Sequence, residues 1–157
     1  MSAGLDSRLR FVTISFMGAK SGASTRYDIK YHFVWIPKYR KRLLTPVRQA
    51  YLKYLLRRVA VEWEMAIVEM EVMEDHVHLF LEAPPRLSPA QIMDTLKSIT
   101  AREMFAKFPE LRQALWAGHL WADGYYVATV GDKVTAEAVR RYIRNQRQHD
   151  LLHDGPI

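Results

Sequence analysis

Glu64 to Met73 sets Met65, Ile67, Glu69, Glu71 and Met73 in alternation with Ala66, Val68, Met70 and Val72, and a second short run, His76 to Glu82, follows Glu74-Asp75. Alternation of period two marks a strand whose successive side chains point to opposite faces of a sheet. A turn at Glu74-Asp75 makes the two runs antiparallel neighbours; one continuous bulged strand is the other reading. His76 and His78 stand two residues apart in the second run and so share one side of the sheet. Any fold open to this chain therefore has to carry two imidazoles side by side on a β surface.

The remaining elements can be placed around this pair. Tyr27 to Ile36 is rich in aromatic and β-branched residues and closes at Pro37, which predicts a first strand with Lys38, Arg40, Lys41 and Arg42 just past its end. Pro46 opens a predicted helix over 47–61, where Tyr51, Leu52, Leu55, Leu56 and Val59 recur at helical spacing. Pro84-Pro85 ends the histidine strand. Ser88 is then a cap, with Pro89 in the first turn of a helix striped by Ile92, Leu96, Ile99 and Phe105. Lys97, Arg102 and Lys107 are expected near solvent on that helix. Leu111 to Asp123 holds Trp116, Gly118 and Trp121 and reads as a connecting segment. Tyr125 to Val130 is a last strand, Gly131-Asp132 a turn, and 136–149 a last helix. The order β-α-β-β-α-β-α predicts a small α+β domain, an antiparallel sheet with helices on one face.

At 157 residues the chain suits one compact core, and 49% hydrophobic residues argue against a largely disordered protein. Residues 1–25 read as an N-terminal extension of uncertain order, 26–150 as the domain and 151–157 as a C-terminal tail. With no cysteine, disulfides, thiolate zinc sites and cysteine nucleophiles are excluded. No apolar run approaches the roughly 20 residues of a spanning helix, and a cytoplasmic protein is expected. The 23 Lys plus Arg against 17 Asp plus Glu give a formal charge of +6, which favours a polyanionic partner without identifying it.

Two neutral imidazoles suit a divalent metal. Tyr142 and Gln146, four residues apart on the last predicted helix, share one face and offer a phenol beside a carboxamide oxygen. Taken singly, each of these residues has a plainer reading: a hydrogen-bonded histidine pair, a tyrosine at the rim of a core, a surface glutamine. A phenol with a solution pKa near ~10 attacks well only where a cation or metal favours the phenolate. Lys133, Arg140, Arg141 and Arg144 make its neighbourhood basic. Asp75 is placed to orient His76. Neither it nor Glu71 is expected to act as a catalytic base.

A wider pattern joins these residues. Tyr31-His32-Phe33-Val34-Trp35 leads to Lys38-Tyr39-Arg40, Glu71-Val72-Met73 to Asp75-His76-Val77-His78-Leu79, and Leu120-Trp121, Tyr125 and Thr129-Val130 to Tyr142-Ile143 and Gln146. Over residues 27 to 148 the chain resembles the single-tyrosine HUH transposases of insertion sequences that move as single-stranded DNA, the IS200-like transposase family. The resemblance implies a small antiparallel-sheet HUH domain of ferredoxin-like or RRM-like type with a C-terminal tyrosine-bearing helix. It implies that His76, His78 and Gln146 hold a divalent ion, Mg2+ in function with Mn2+ or another transition metal suitable in vitro. Tyr142 would attack the scissile phosphate to leave a 5′-phosphotyrosine and a free 3′-hydroxyl.

Members of that family act as homodimers, the histidines of one subunit facing the tyrosine helix of the other, on single-stranded DNA with imperfect hairpins. Lys38, Arg40, Lys41 and Arg42 are the expected backbone contacts, with Arg57, Arg58, Lys97 and Arg102 as weaker candidates. Trp35 and Tyr39 are expected to stack on unpaired bases. Two other readings stay open: a domesticated HUH nuclease acting on chromosomal hairpin repeats, and an inactive hairpin-binding repressor.

Overall fold

The computed structural model describes residues 20–21, 25–115 and 118–131, together with Ala138, Arg141 and Asn145. Strands β1 (Lys20–Ser21) and β2 (Arg26–Tyr27) pair antiparallel, so part of the expected N-terminal extension belongs to a small ribbon. The main sheet contains β3 (Lys30–Trp35), β4 (Ala66–Val72), β5 (Val77–Glu82) and β6 (Tyr126–Thr129). Its order is β4-β5-β3-β6, and every neighbouring pair is antiparallel. The two helices that pack on it are α1 (Pro46–Glu62) and α2 (Pro89–Lys107).

Alternation divides the sheet into two faces. Phe33 and Trp35 from β3, Val77, Leu79 and Leu81 from β5, and Met70 and Val72 from β4 join Leu52, Leu55, Leu56 and Val59 of α1 and Ile92, Met93 and Leu96 of α2 in the main core. The residues of opposite parity, His32 and Val34 on β3 and His78 and Phe80 on β5, look away from those helices. Phe80 is buried in a second, smaller cluster with Val68 and Val130.

The β4–β5 hairpin turns at Glu74-Asp75 as its alternation predicts, with Met73 N–H donating to the His76 carbonyl at 2.9 Å. One irregularity lies between Ile67 and Glu69, where the register shifts. The extra residue brings Met70 and Val72 to the same core face as Met65 and Ile67, whereas simple alternation sets the two pairs on opposite faces. Ser88 caps α2 through a reciprocal pair: its hydroxyl accepts from Gln91 N–H at 3.1 Å and its own N–H donates to Gln91 Oε1 at 2.8 Å.

The segment after α2 is not a plain connection. It opens with a short helix, α3 (Glu110–Ala114), whose Leu111 is buried. Trp121 then returns to the sheet, bridging Pro37, stacking edgewise on Trp35 at 5.9 Å and donating Nε1–H to the buried Thr100 hydroxyl at 3.0 Å. Lys97, expected near solvent, donates its ammonium to the carbonyls of Ala122 (2.8 Å) and Gly124. Gly124, at φ +79, takes a left-handed bend that suits glycine. Trp116 and most of the expected last helix lie outside the described residues.

Candidate metal and DNA-cleavage site

His76 immediately precedes β5 and His78 lies within it, so the strand itself brings both rings to the face opposite α1 and α2. Their centroids are 5.1 Å apart and their planes nearly perpendicular, and each residue is 5% exposed. A third imidazole joins them. His32 on β3 is 6% exposed, stacks on His78 at 5.4 Å and places Nε2 3.2 Å from His78 Nδ1. Tyr126 of β6 meets the outer side of His32 edge-on at 6.1 Å.

Burial keeps His78 and His32 uncharged. It is the largest influence on His78, reinforced by the neighbouring His76 and His32, and pushes its pKa down to about 3. Burial likewise lowers that of His32. Neutral imidazole is the form that binds a metal. Each ring also has a partner at Nδ1: His32 for His78, and the Asp75 carboxylate, 2.8 Å away, for His76. A carboxylate only accepts, so His76 Nδ1 carries a proton and Nε2 is the nitrogen that remains for a metal.

Asp75 is itself held. Its second oxygen accepts from Arg40 Nε at 3.2 Å. Burial alone would raise the Asp75 carboxyl, but the hydrogen bond and charge of His76 and those of Arg40 outweigh it and hold the group below its ordinary value. Arg40 reaches inward because Tyr39 and Arg40 both take left-handed backbone conformations, φ 60 and 49, in the turn after β3. Such conformations are strained for non-glycine residues and persist only where the surroundings enforce them.

The same turn aims Tyr39 outward. The residue is 70% exposed, and two ammonium groups approach its ring, Lys38 Nζ at 5.6 Å and Lys41 Nζ at 6.0 Å from its centre. Lys41 also donates to the Ala114 carbonyl at 2.7 Å, and Arg42 is exposed. The expectation for Trp35 needs correction. At 2% exposure, packed on Trp121, it has no ring face to offer a base, because strand parity puts it with Phe33 in the core. Of the weaker candidates, Arg58 and Arg102 both approach Glu103, at 3.6 and 3.9 Å, and Lys97 holds the loop described above.

Among the described residues, no group of three or more His, Cys, Asp or Glu side chains is arranged to hold a metal ion. His76, His78 and His32 stand side by side on this face, His32 nearest to His78. Gln146 and Tyr142, expected to complete the site, lie outside the described residues; within the expected last helix Ala138, Arg141 and Asn145 are helical and exposed. His32 and Tyr126 are the site neighbours that sequence reasoning passed over. The available signal was parity: His32 falls on the side of β3 opposite Phe33 and Trp35.

A four-stranded antiparallel sheet, helices on one face and a His-x-His pair on the other, defines a small α+β domain of the HUH type. The family described as "Transposase IS200 like" matches residues 25–146. Among curated relatives, the ISDra2 transposase TnpA of Deinococcus radiodurans is 37% identical over 131 residues, 83% of this chain and 91% of the relative. The transposase for insertion sequence element IS200 of Salmonella typhimurium is 36% identical over 134 residues, 85% of this chain and 86% of its own. A crystal structure of a protein described as a transposase, from Deinococcus radiodurans R1, superposes with a TM-score of 0.66 at 38% identity, covering 81% of this chain and 97% of that one. The structure of a REP-associated tyrosine transposase bound to a REP hairpin shares the fold, with a TM-score of 0.54 at 14% identity over 86% of this chain and 75% of that one. The chain belongs to the IS200-like family of single-tyrosine HUH transposases, and its chemistry is that of a DNA transposase.

Proposed function

We propose that this protein cleaves and rejoins single-stranded DNA at the hairpin-marked ends of an insertion element, through a 5′-phosphotyrosine formed on Tyr142. The observation that supports this most is the pair of buried imidazoles of His76 and His78, each with a partner at Nδ1, in a chain of this family. The pair fits a divalent ion held through the two Nε2 atoms, with the Gln146 carboxamide as the third protein ligand. Mg2+ is the ion expected in function, and Mn2+ or a softer transition metal suits the imidazoles in vitro. When bound, the ion supplies Lewis-acid polarisation of a nonbridging phosphate oxygen.

The chain's own groups account for the rest. The Tyr142 phenolate oxygen forms a bond to phosphorus, the bond from phosphorus to the 3′ oxygen breaks, and that oxygen leaves as a hydroxyl once it takes a proton. Attack by another 3′-hydroxyl on the phosphotyrosine reverses the exchange, so strands rejoin with no nucleotide cofactor. Lys38, Lys41 and Arg42 would neutralise phosphates, and Tyr39, an exposed aromatic approached by two lysines, would stack on an unpaired base. A homodimer with each site shared between subunits, and a cytoplasmic location, complete the reading. Among the described residues no helix is long and apolar enough to cross a membrane.

The test is a denaturing gel of the protein with labelled, hairpin-bearing single-stranded element ends and Mg2+ or Mn2+. A metal-dependent covalent adduct that Tyr142→Phe loses is the expected result. Hairpin binding with no adduct would instead identify an inactive binding protein.

A further inference from the structure

Arg40 lies in the basic segment that would contact DNA, yet its guanidinium is bound to Asp75, and Asp75 to His76. The segment and the histidine loop are joined a second time: Leu44 N–H donates to the Glu74 carbonyl at 3.0 Å. The turn is fixed in turn by Arg40 N–H on the Pro37 carbonyl (2.8 Å) and Lys38 N–H on the Leu120 carbonyl (2.9 Å). Its two left-handed residues divide the labour: Tyr39 faces solvent and Arg40 faces Asp75. A side chain used for phosphate alone would not need a strained backbone to turn it inward.

We propose that Arg40 is a positioning residue for the metal site rather than a phosphate contact, acting through Asp75 on His76, and that the strained Tyr39–Arg40 turn thereby joins a DNA-stacking platform to a metal ligand. The inference rests on the reading that His76 binds a divalent ion. Arg40 fixes the plane of the Asp75 carboxylate, the carboxylate fixes the His76 ring and its tautomer, and Nε2 is presented to the metal without reorganisation. Tyr39, one residue away on the same turn, carries the DNA contact. A base stacked on Tyr39 would hold the turn in the conformation that keeps Arg40 on Asp75.

Two affinities separate this role from a phosphate contact: Mn2+ binding to DNA-free protein, followed by electron paramagnetic resonance, and the salt dependence of hairpin single-stranded DNA binding in EDTA. Arg40→Ala is expected to weaken Mn2+ binding by about tenfold or more and to leave the salt slope at its wild-type value. Tyr39→Ala is expected to do the reverse, weakening DNA binding by roughly tenfold with Mn2+ affinity unchanged. Asp75→Asn approaches the chain from its other end. It should weaken Mn2+ binding at least as much, and the double variant should bind no more weakly than Asp75→Asn alone, because the two residues act in one line. Unchanged Mn2+ affinity in Arg40→Ala, with a salt slope reduced by about one, would overturn the proposal and make Arg40 a phosphate ligand. Additive losses in the double variant would overturn it as well. Wild-type protein that binds Mn2+ no better than His76→Ala would instead overturn the metal reading beneath it.

Discussion

His32 Nε2 lies 3.2 Å from His78 Nδ1, joining the two inner strands of the sheet through a pair of buried, stacked imidazoles. Where His78 Nδ1–H donates to His32 Nε2, the His78 lone pair open to a metal is at Nε2, and His32 then orients His78 as Asp75 orients His76. His32→Ala should therefore weaken Mn2+ binding by about 10–100-fold while the protein stays folded. Titration of Mn2+ by paramagnetic resonance, with circular dichroism as the control for folding, checks this. Undiminished affinity would show that His32 only packs.

The depressed pKa values of His78 and His32 set the acid side of the stability curve. At position 78 the unfolded chain takes up a proton near pH 6.5, whereas the folded protein resists until about pH 3. More protons on the unfolded chain mean that stability is full above pH 6.5 and is lost progressively as pH falls from about 6.5 towards 3. The groups facing His78 are His76 and His32, which oppose its protonation, together with Glu71, opposite it on β4. Urea midpoints of EDTA-treated protein should fall across this window and be flat from pH 7 to 8. A midpoint unchanged between pH 7 and 5 would contradict the neutral cluster.

Thr100 accepts the indole hydrogen of Trp121, and both are buried. Thr100→Val keeps the shape and removes the acceptor, so a buried donor is left and the fold should lose about 1–3 kcal/mol. Trp121→Phe in the Thr100→Val background should add less than it does alone, which a double-mutant cycle in urea reads directly. Additivity would mean that the bond carries no stability.

Ser88→Ala removes one half of the capping box of α2 and should cost about 1 kcal/mol, a magnitude typical of such caps. Ser88→Asp, which keeps an acceptor, should restore most of it. Thermal melts distinguish the two. Equal losses in both variants would assign the effect to something other than the cap.

The strands and both long helices were legible because their signals are local: period-two alternation around His76, apolar residues at helical spacing after Pro46, and Ser88 before Pro89. The bulge between Ile67 and Glu69 was not, since an alternating run gives no sign of where one residue steps out of register. Trp35 shows a second limit. An aromatic at a strand end reads as a stacking surface until the parity of β3, and Trp121 arriving from far along the sequence, put it in the core. Lys97 stays half-exposed as expected, but its ammonium is tied to the carbonyls of a loop that its own helix does not announce. At the site, His76 and His78 could be paired from spacing alone, and Asp75 from adjacency. His32 could not, because its place beside His78 depends on which strands neighbour each other. The roles of Tyr142 and Gln146 came from the resemblance, and both lie outside the described residues.

β3 and β5 are the interior strands of the order β4-β5-β3-β6, and all three histidines stand on them or at their ends. Each of these strands is laddered on both sides, whereas among the described residues β4 and β6 are each paired on one side. In hydrogen exchange, the amides of Phe33 and Leu79 should be among the slowest in the domain and those of the outer strands should open first. Fraying at the margins, or an insertion accepted there over evolutionary time, would leave the histidine geometry intact. The chain can thus vary at its rims without disturbing its chemistry.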